Sequence, residues 1–160
     1  GDEIVGVFGT AGGSKSKNCM DAIRAAMGMQ YALERLNKME LKDIDVKLKI
    51  GIGINFGKAY VGHLGHPTHR QFSVIGDPVN VASRIQGQTK VVGATALLSE
   101  SVIDMIDTES IEIGRIFKPE LKGKDNQIRL MELLGFKEMD LQLELQASLH
   151  LMLQDEDRFT

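Results

Sequence analysis

Cysteine is almost absent from this chain: Cys19 is its only one in 160 residues, so no internal disulfide can form. Nothing argues for an oxidising compartment, and a reducing cytoplasm is the default expectation. Long apolar runs are missing too. None approaches the roughly 18 to 20 residues needed to cross a bilayer, and no basic-then-apolar leader opens the chain, so the chain as it stands is expected to be soluble. Positive charge is not in excess: 19 Lys plus Arg against 22 Asp plus Glu leave a formal charge of −3. The basic residues are scattered without aromatic partners, which argues against nucleic acid as a partner. Proline is scarce, with 3 residues, and there is no homopolymeric tract. Against those absences stand 42% hydrophobic and 26% charged residues, a globular composition that excludes disorder as the main state. The length suits one domain with its own core. Gly1 falls inside what reads as a strand, with neither Met nor a capping signal before it, so a piece of a longer protein is expected.

Periodicity organises the rest. Residues 3–8 read as a short strand, followed by the loop Gly9-Thr10-Ala11-Gly12-Gly13-Ser14. From about Lys17 to Met39, the positions Cys19, Ala22, Ala26, Met29, Leu33 and Leu36 step by three or four, which predicts a helix with one stripe facing a sheet. Val46, Leu48, Ile50, Ile52 and Ile54 alternate with smaller or charged residues and predict a strand. Asn55-Phe56-Gly57-Lys58 then turns the chain back into 59–64, and Phe72 to Ile75 forms a third short strand ending at Gly76. Asp77 before Pro78 reads as a capped helix start, with the helix running to about Gln86. A brief strand at 96–98, a short helix capped by Ser99 and running through Ile106, and a hairpin of 111–121 with 127–133 follow. Helices alternating with strands and hairpins imply a mixed sheet in an α+β or α/β sandwich. The tail from Asp140 alternates Leu with polar residues, yet its Leu, Gln, Glu and Ala content favours a helix. Such a helix could dock on the core, contact a second copy or link to another domain.

The stretch richest in chemistry runs from Phe72 to Arg84. Asn80 and Arg84 are four apart, which places an amide and a guanidinium on one helical face a turn apart, with Ser73 on the strand before them. An amide can orient a sugar and a fixed cation can meet phosphate charge. By spacing alone, an ordinary solvated helix face is a better reading than a nucleotide site.

Longer motifs separate those readings. Leu48-Lys49-Ile50-Gly51-Ile52-Gly53-Ile54-Asn55-Phe56-Gly57, then Val61-Gly62-His63-Leu64-Gly65, then Phe72 through Arg84, resemble the catalytic domain of class III nucleotide cyclases. The opening Gly1-Asp2-Glu3-Ile4-Val5-Gly6-Val7-Phe8-Gly9 resembles that family's metal-binding hairpin, and Leu121-Lys122-Gly123-Lys124 its C-terminal phosphate-contacting hairpin. The resemblance implies a ferredoxin-like nucleotide cyclase fold of the α+β class, a mixed β-sheet with helices on one face, in which the family's first strand and helices would precede Gly1. It implies a catalytic domain at 1–136 and a C-terminal extension at 137–160. It further implies that ATP becomes 3′,5′-cyclic AMP and pyrophosphate at the interface of a homodimer, with two Mg²⁺ or Mn²⁺ ions per site and an upstream sensor or regulatory domain in the parent protein.

Roles carry over position by position. Asp2 matches one of the family's two metal-binding aspartates, a hard ligand suited to ions that bridge triphosphate oxygens. Asn80 matches the ribose-orienting amide, Arg84 the arginine that stabilises charge on the α-phosphate, and Lys122 a phosphate-contacting lysine. Ser73 stands where adenylate cyclases carry Asp, Thr or Ser and guanylate cyclases typically Cys, which favours ATP, since a hydroxyl can serve an exocyclic amine or a ring nitrogen. The other metal aspartate and the base-selecting lysine would precede Gly1.

Three other readings compete. Residues 9–16 nearly fit the phosphate loop G-x-x-x-x-G-K-[ST], but Ser14 replaces the second glycine, where a side chain would crowd the wrapped backbone. His63, His66 and His69 could hold zinc, though the Gly and Pro turns around them oppose convergence and favour exposed loop histidines. A cyclase-like module without catalysis, serving dimerisation or regulation, is the third. Cys19, on the apolar stripe, reads as a small core residue.

Overall fold

A computed structural model describes residues 3–64, 71–119, 128–137 and 145–148. In chain order the elements are α1 (Lys15–Met39), β1 (Ile52–Ile54), β2 (Tyr60–Leu64), β3 (Gln71–Ile75), α2 (Asp77–Val92), β4 (Ala96–Ser99), α3 (Glu100–Ile103), β5 (Ile111–Phe117) and β6 (Leu130–Phe136). Strands β1-β4-β6-β5 form one sheet, with β1 parallel to β4 and the other pairs antiparallel. A separate antiparallel pair, β2-β3, stands apart from it. The α+β class with a mixed sheet is therefore as expected.

Helices cover both faces of the sheet, however, not one. Strand β4 is buried at all four positions. Its alternating side chains go opposite ways: Ala96 and Leu98 pack with Cys19 and Ile23 of α1, and Leu97 packs with Val81 and Ile85 of α2. The run Gly51-Ile52-Gly53-Ile54 works the same way. Ile52 and Ile54 pack on the α1 side, while a Cβ on Gly53 would lie 2.4 Å from both the Ala82 carbonyl oxygen and the Gln86 nitrogen of α2. The absence of a side chain at Gly53 is what lets the α2 backbone lie directly on β1.

Helix α1 starts where Ser14 Oγ accepts a hydrogen bond from the Lys17 amide at 3.1 Å. Of its expected stripe only Cys19 and Ala26 are in the core, joined there by Ile23, which lies off that stripe; Ala22 and Leu33 are half-buried, and Met29 and Leu36 are 45% and 38% exposed. The second half of α1 meets the chain through polar groups instead. Asn37 donates to the Leu48 carbonyl at 2.8 Å and accepts from its amide at 2.9 Å, and Gln30 donates to the Thr95 carbonyl at 3.2 Å. Those side chains occupy backbone groups that a neighbouring strand would otherwise pair. Accordingly only Ile52–Ile54 of the expected 46–54 strand is strand, and Val46, Leu48 and Ile50 are exposed. Residues 3–8, also expected as strand, have no ladder partner among the described residues, and Ile4 and Val5 are exposed.

Other boundaries shift for local reasons. Residues 59–64 pair with β3, not with β1, which instead lies beside β4. Helix α2 continues past Gln86 through an exposed Gly87 and stops at Gly93, whose left-handed φ of 68° lets its amide close on the Thr89 carbonyl. Gly76, not Asp77, is the N-cap of α2, and Asp77 sits in the first turn where a carboxylate suits the positive helix end. Helix α3 ends at Ile103, and Ser99 Oγ does not cap it but lies 2.8 Å from Ser101 Oγ. The last hairpin is present as β5-β6, with irregular register between Glu112 and Ile116. Of the tail, residues 145–148 are helical and Leu145 packs against the α1-side core.

Candidate active site

Strand β3 leads through Gly76 directly into α2, and this single unit carries three of the expected site residues. Ser73, half-buried, faces Gly62 across the β2-β3 ladder. Asn80 and Arg84 follow on α2, where residues advance about 100° each. Val81, Ile85 and Thr89 take the buried face, so Asn80 points away from it and is exposed, while Arg84, one turn on, lies at its edge and is half-buried. The helix seat on Gly53 and the packing of Val81 and Ile85 on Leu97 and Leu130 set the orientation of that polar face.

Asp2 and Lys122 lie outside the described residues, as do His66 and His69. Among the described residues no group of three or more His, Cys, Asp or Glu side chains could hold a metal ion. His63 is exposed on β2. The phosphate-loop look-alike does not follow a strand, and its Ser14 is committed to starting α1. Cys19 is 5% exposed, and burial pushes its thiol pKa up, as befits a core residue.

Asn55, which the sequence marks only as part of a turn, holds a more specific place. Its Nδ2 donates to the Pro78 carbonyl at 3.1 Å, and its Oδ1 lies 3.2 Å from Ser101 Oγ. Ser101 Oγ is also 3.3 Å from the Phe56 amide and 3.0 Å from the Phe56 carbonyl. The spacing of Asn55 and Ser101, 46 residues apart, gave no signal of this contact. An open cleft of about 460 Å³ runs beside the cluster, lined by Asn55, Asp77, Pro78, Ser99, Glu100 and Ser101 among others. Its lining includes none of Ser73, Asn80 and Arg84.

The family model of the adenylate and guanylate cyclase catalytic domain matches residues 1–132. The chain belongs to this family. Among curated relatives, an adenylate cyclase of Anabaena cylindrica is 36% identical over 138 residues, 82% of this chain and 26% of that protein. Adenylate cyclase 1 of Rhizobium meliloti is 26% identical over 84% of this chain and 20% of its own length. The chain thus spans about a quarter or less of these relatives. Among solved structures, the guanylyl cyclase Cya2 superposes with a TM-score of 0.70 at 22% identity, over 82% of this chain and 65% of the other. The adenylyl cyclase CyaB from P. aeruginosa gives 0.67 at 23% identity, over 79% and 64%. These likenesses show that the sheet, its two helices and the β2-β3 arm form a nucleotide cyclase fold. No described helix of this cyclase domain is long and apolar enough to cross a membrane.

Proposed function

We propose that the chain is the catalytic domain of an adenylate cyclase, turning ATP into 3′,5′-cyclic AMP and pyrophosphate where two copies meet. The observation that carries this reading is the outward polar face of α2, Asn80 and Arg84 one turn apart, joined through Gly76 to the strand bearing Ser73. A second copy completes the site, the arrangement that the family resemblance implies. The adenylate cyclases among the relatives and the hydroxyl at Ser73 favour adenine over guanine.

In the reaction the ribose 3′-oxygen loses its proton and bonds to the α-phosphorus, while the bond from that phosphorus to the bridging oxygen breaks and pyrophosphate leaves. Asn80 orients the ribose so that the 3′-oxygen lies in line. Arg84 faces the charge that builds on the α-phosphate oxygens, a preorganised cation that needs no rearrangement as the charge develops. Lys122 contacts the phosphates. Mg²⁺ or Mn²⁺, when bound, would neutralise triphosphate charge and acidify the attacking hydroxyl, with Asp2 as one ligand. Residues 1–136 form the catalytic domain and 137–160 an extension, partly docked through Leu145.

Arg84→Ala should lower cyclic AMP formation by at least about 10²-fold, the usual loss when one transition-state donor is removed. Turnover of the full-length protein on ATP and on GTP, with and without the substitution, tests both role and base preference. Unchanged cyclic AMP production by the variant would overturn the assignment of Arg84, and faster turnover of GTP would overturn that of Ser73.

A further inference from the structure

The first turn of α2 is clamped from below by a polar cluster drawn from three separate segments. Asn55 follows β1, Ser101 lies in α3, and Pro78 is the second residue of α2. The Asn55 amide spans them, donating to the Pro78 carbonyl and reaching Ser101 Oγ with its oxygen. Ser101 in turn touches both backbone groups of Phe56, and Ser99 Oγ lies 2.8 Å away. A hydroxyl has one proton, so Ser101 can donate to only one acceptor at a time while accepting from the Phe56 amide and from Ser99. Asn55, in contrast, supplies the direct side-chain hydrogen bond from the β1 end to the backbone of the α2 first turn.

The surroundings leave that turn little room to move. A Cβ on Gly57 would lie 2.5 Å from Pro78 Cγ, and one on Gly76 3.2 Å from Ala59 Cα. Pro78 is therefore packed against the same loop that Asn55 begins. Two residues later comes Asn80, and one turn beyond it Arg84.

We propose that Asn55 is a positioning residue of the cyclase reaction, fixing the first turn of α2 so that Asn80 and Arg84 present at the height and rotation the nucleotide requires. The role rests on the function proposed above. Asn55 does not touch substrate; it acts through the Pro78 carbonyl. A displacement of about 1 Å at a catalytic group can cost about 10²-fold in rate, so a clamp of this kind has catalytic leverage without chemistry of its own.

Asn55→Asp keeps the shape but replaces the donor with an oxygen that repels the Pro78 carbonyl. In the full-length protein, kcat on ATP should fall by about 10- to 100-fold while KM changes far less, since Arg84 acts on charge that appears in the transition state. Hydrogen exchange of the amides of residues 81–84 should quicken by about 10-fold or more, with those of residues 89–92 unchanged. Ser101→Ala, which leaves the Asn55–Pro78 bond but removes the group that orients the amide, should shift both readouts the same way by a smaller factor, and it carries the test should Asn55→Asp fail to fold. Unchanged kcat and exchange in a folded variant would overturn the proposal. So would exchange quickened equally along all of α2, the mark of a merely structural role. A wild-type protein inactive on both ATP and GTP would refute the proposed function instead, and the exchange pattern alone would then decide whether Asn55 holds the turn.

Discussion

Gly53→Ala adds one methyl group at the tightest seam in the fold. The new Cβ would sit 2.4 Å from the Ala82 carbonyl oxygen and the Gln86 nitrogen, and 3.0 Å from Gln86 Cα. All three are backbone atoms of α2, so no rotamer change relieves the clash. Ordinary carbon contacts begin near 3.5 Å, so α2 must retreat by about 1 Å. That movement loosens Val81 and Ile85 from Leu97 and Leu130, the cluster that fills the α2 side of the sheet. Overpacking of this kind costs about 1–3 kcal/mol. For a domain of this size, that lowers Tm by about 2–12 °C. The same retreat carries Asn80 and Arg84 off their seat and should slow the proposed cyclase reaction by about 10- to 100-fold. Gly87→Ala supplies the contrast: it lies on the same helix, but its Cβ would meet nothing within 4 Å. Alanine there should stabilise by about 0.5–1 kcal/mol, because an exposed helix interior favours it over glycine. Thermal unfolding followed by circular dichroism, with turnover measured in parallel, reads both. A Gly53→Ala protein as stable and active as wild type would refute the close seating of α2 on β1. A Gly87→Ala protein destabilised as much would show that the cost lies in the helix itself.

Three further substitutions probe the other contacts. Arg115 holds Glu132 through bonds of 2.8 and 2.9 Å between β5 and β6, with the carboxylate side chain only 11% exposed, so Arg115→Ala leaves that carboxylate without its partner and should lower Tm. The hydrogen bond from Arg115 also holds the Glu132 carboxyl below its ordinary range, so its contribution is full above the ordinary glutamate range and fades as pH falls through the lowered value. Acid titration of Tm should therefore be shallower for Glu132→Gln than for wild type, and parallel curves would refute the coupling. Asn37→Ala removes both bonds to Leu48 and should cost about 1 kcal/mol while quickening exchange of the Leu48 amide, whose unchanged protection would show the contact to be dispensable.

Local pattern and tertiary demand divide the fold between them. Helices α1 and α2, strands β2, β3 and β4 and the last hairpin were legible because each is announced by periodicity or punctuation within its own stretch, although the pairing of β2 with β3 was not. Two of the misreadings share one cause. Residues 46–50 alternate like a strand, yet their backbone groups are met in part by Asn37 and Gln30 of α1, a contact that periodicity cannot foresee. Met29 and Leu36 continue the α1 stripe in sequence, but the sheet beneath that stripe reaches only its first half.

For the candidate site, the sequence alone determined the placement of its proposed members: the order Ser73, Asn80, Arg84 on a strand and the helix after it follows from local pattern, and the proposed roles come from the cyclase resemblance. Tertiary structure decided how those residues are held. That β1 lies beside β4 and not β2, that α1 and α2 take opposite faces, and that Asn55 clamps Pro78 all depend on contacts between segments far apart in the chain. Side-chain spacing encodes which face of an element is apolar, but which neighbour covers that face is chosen only when all the elements pack at once.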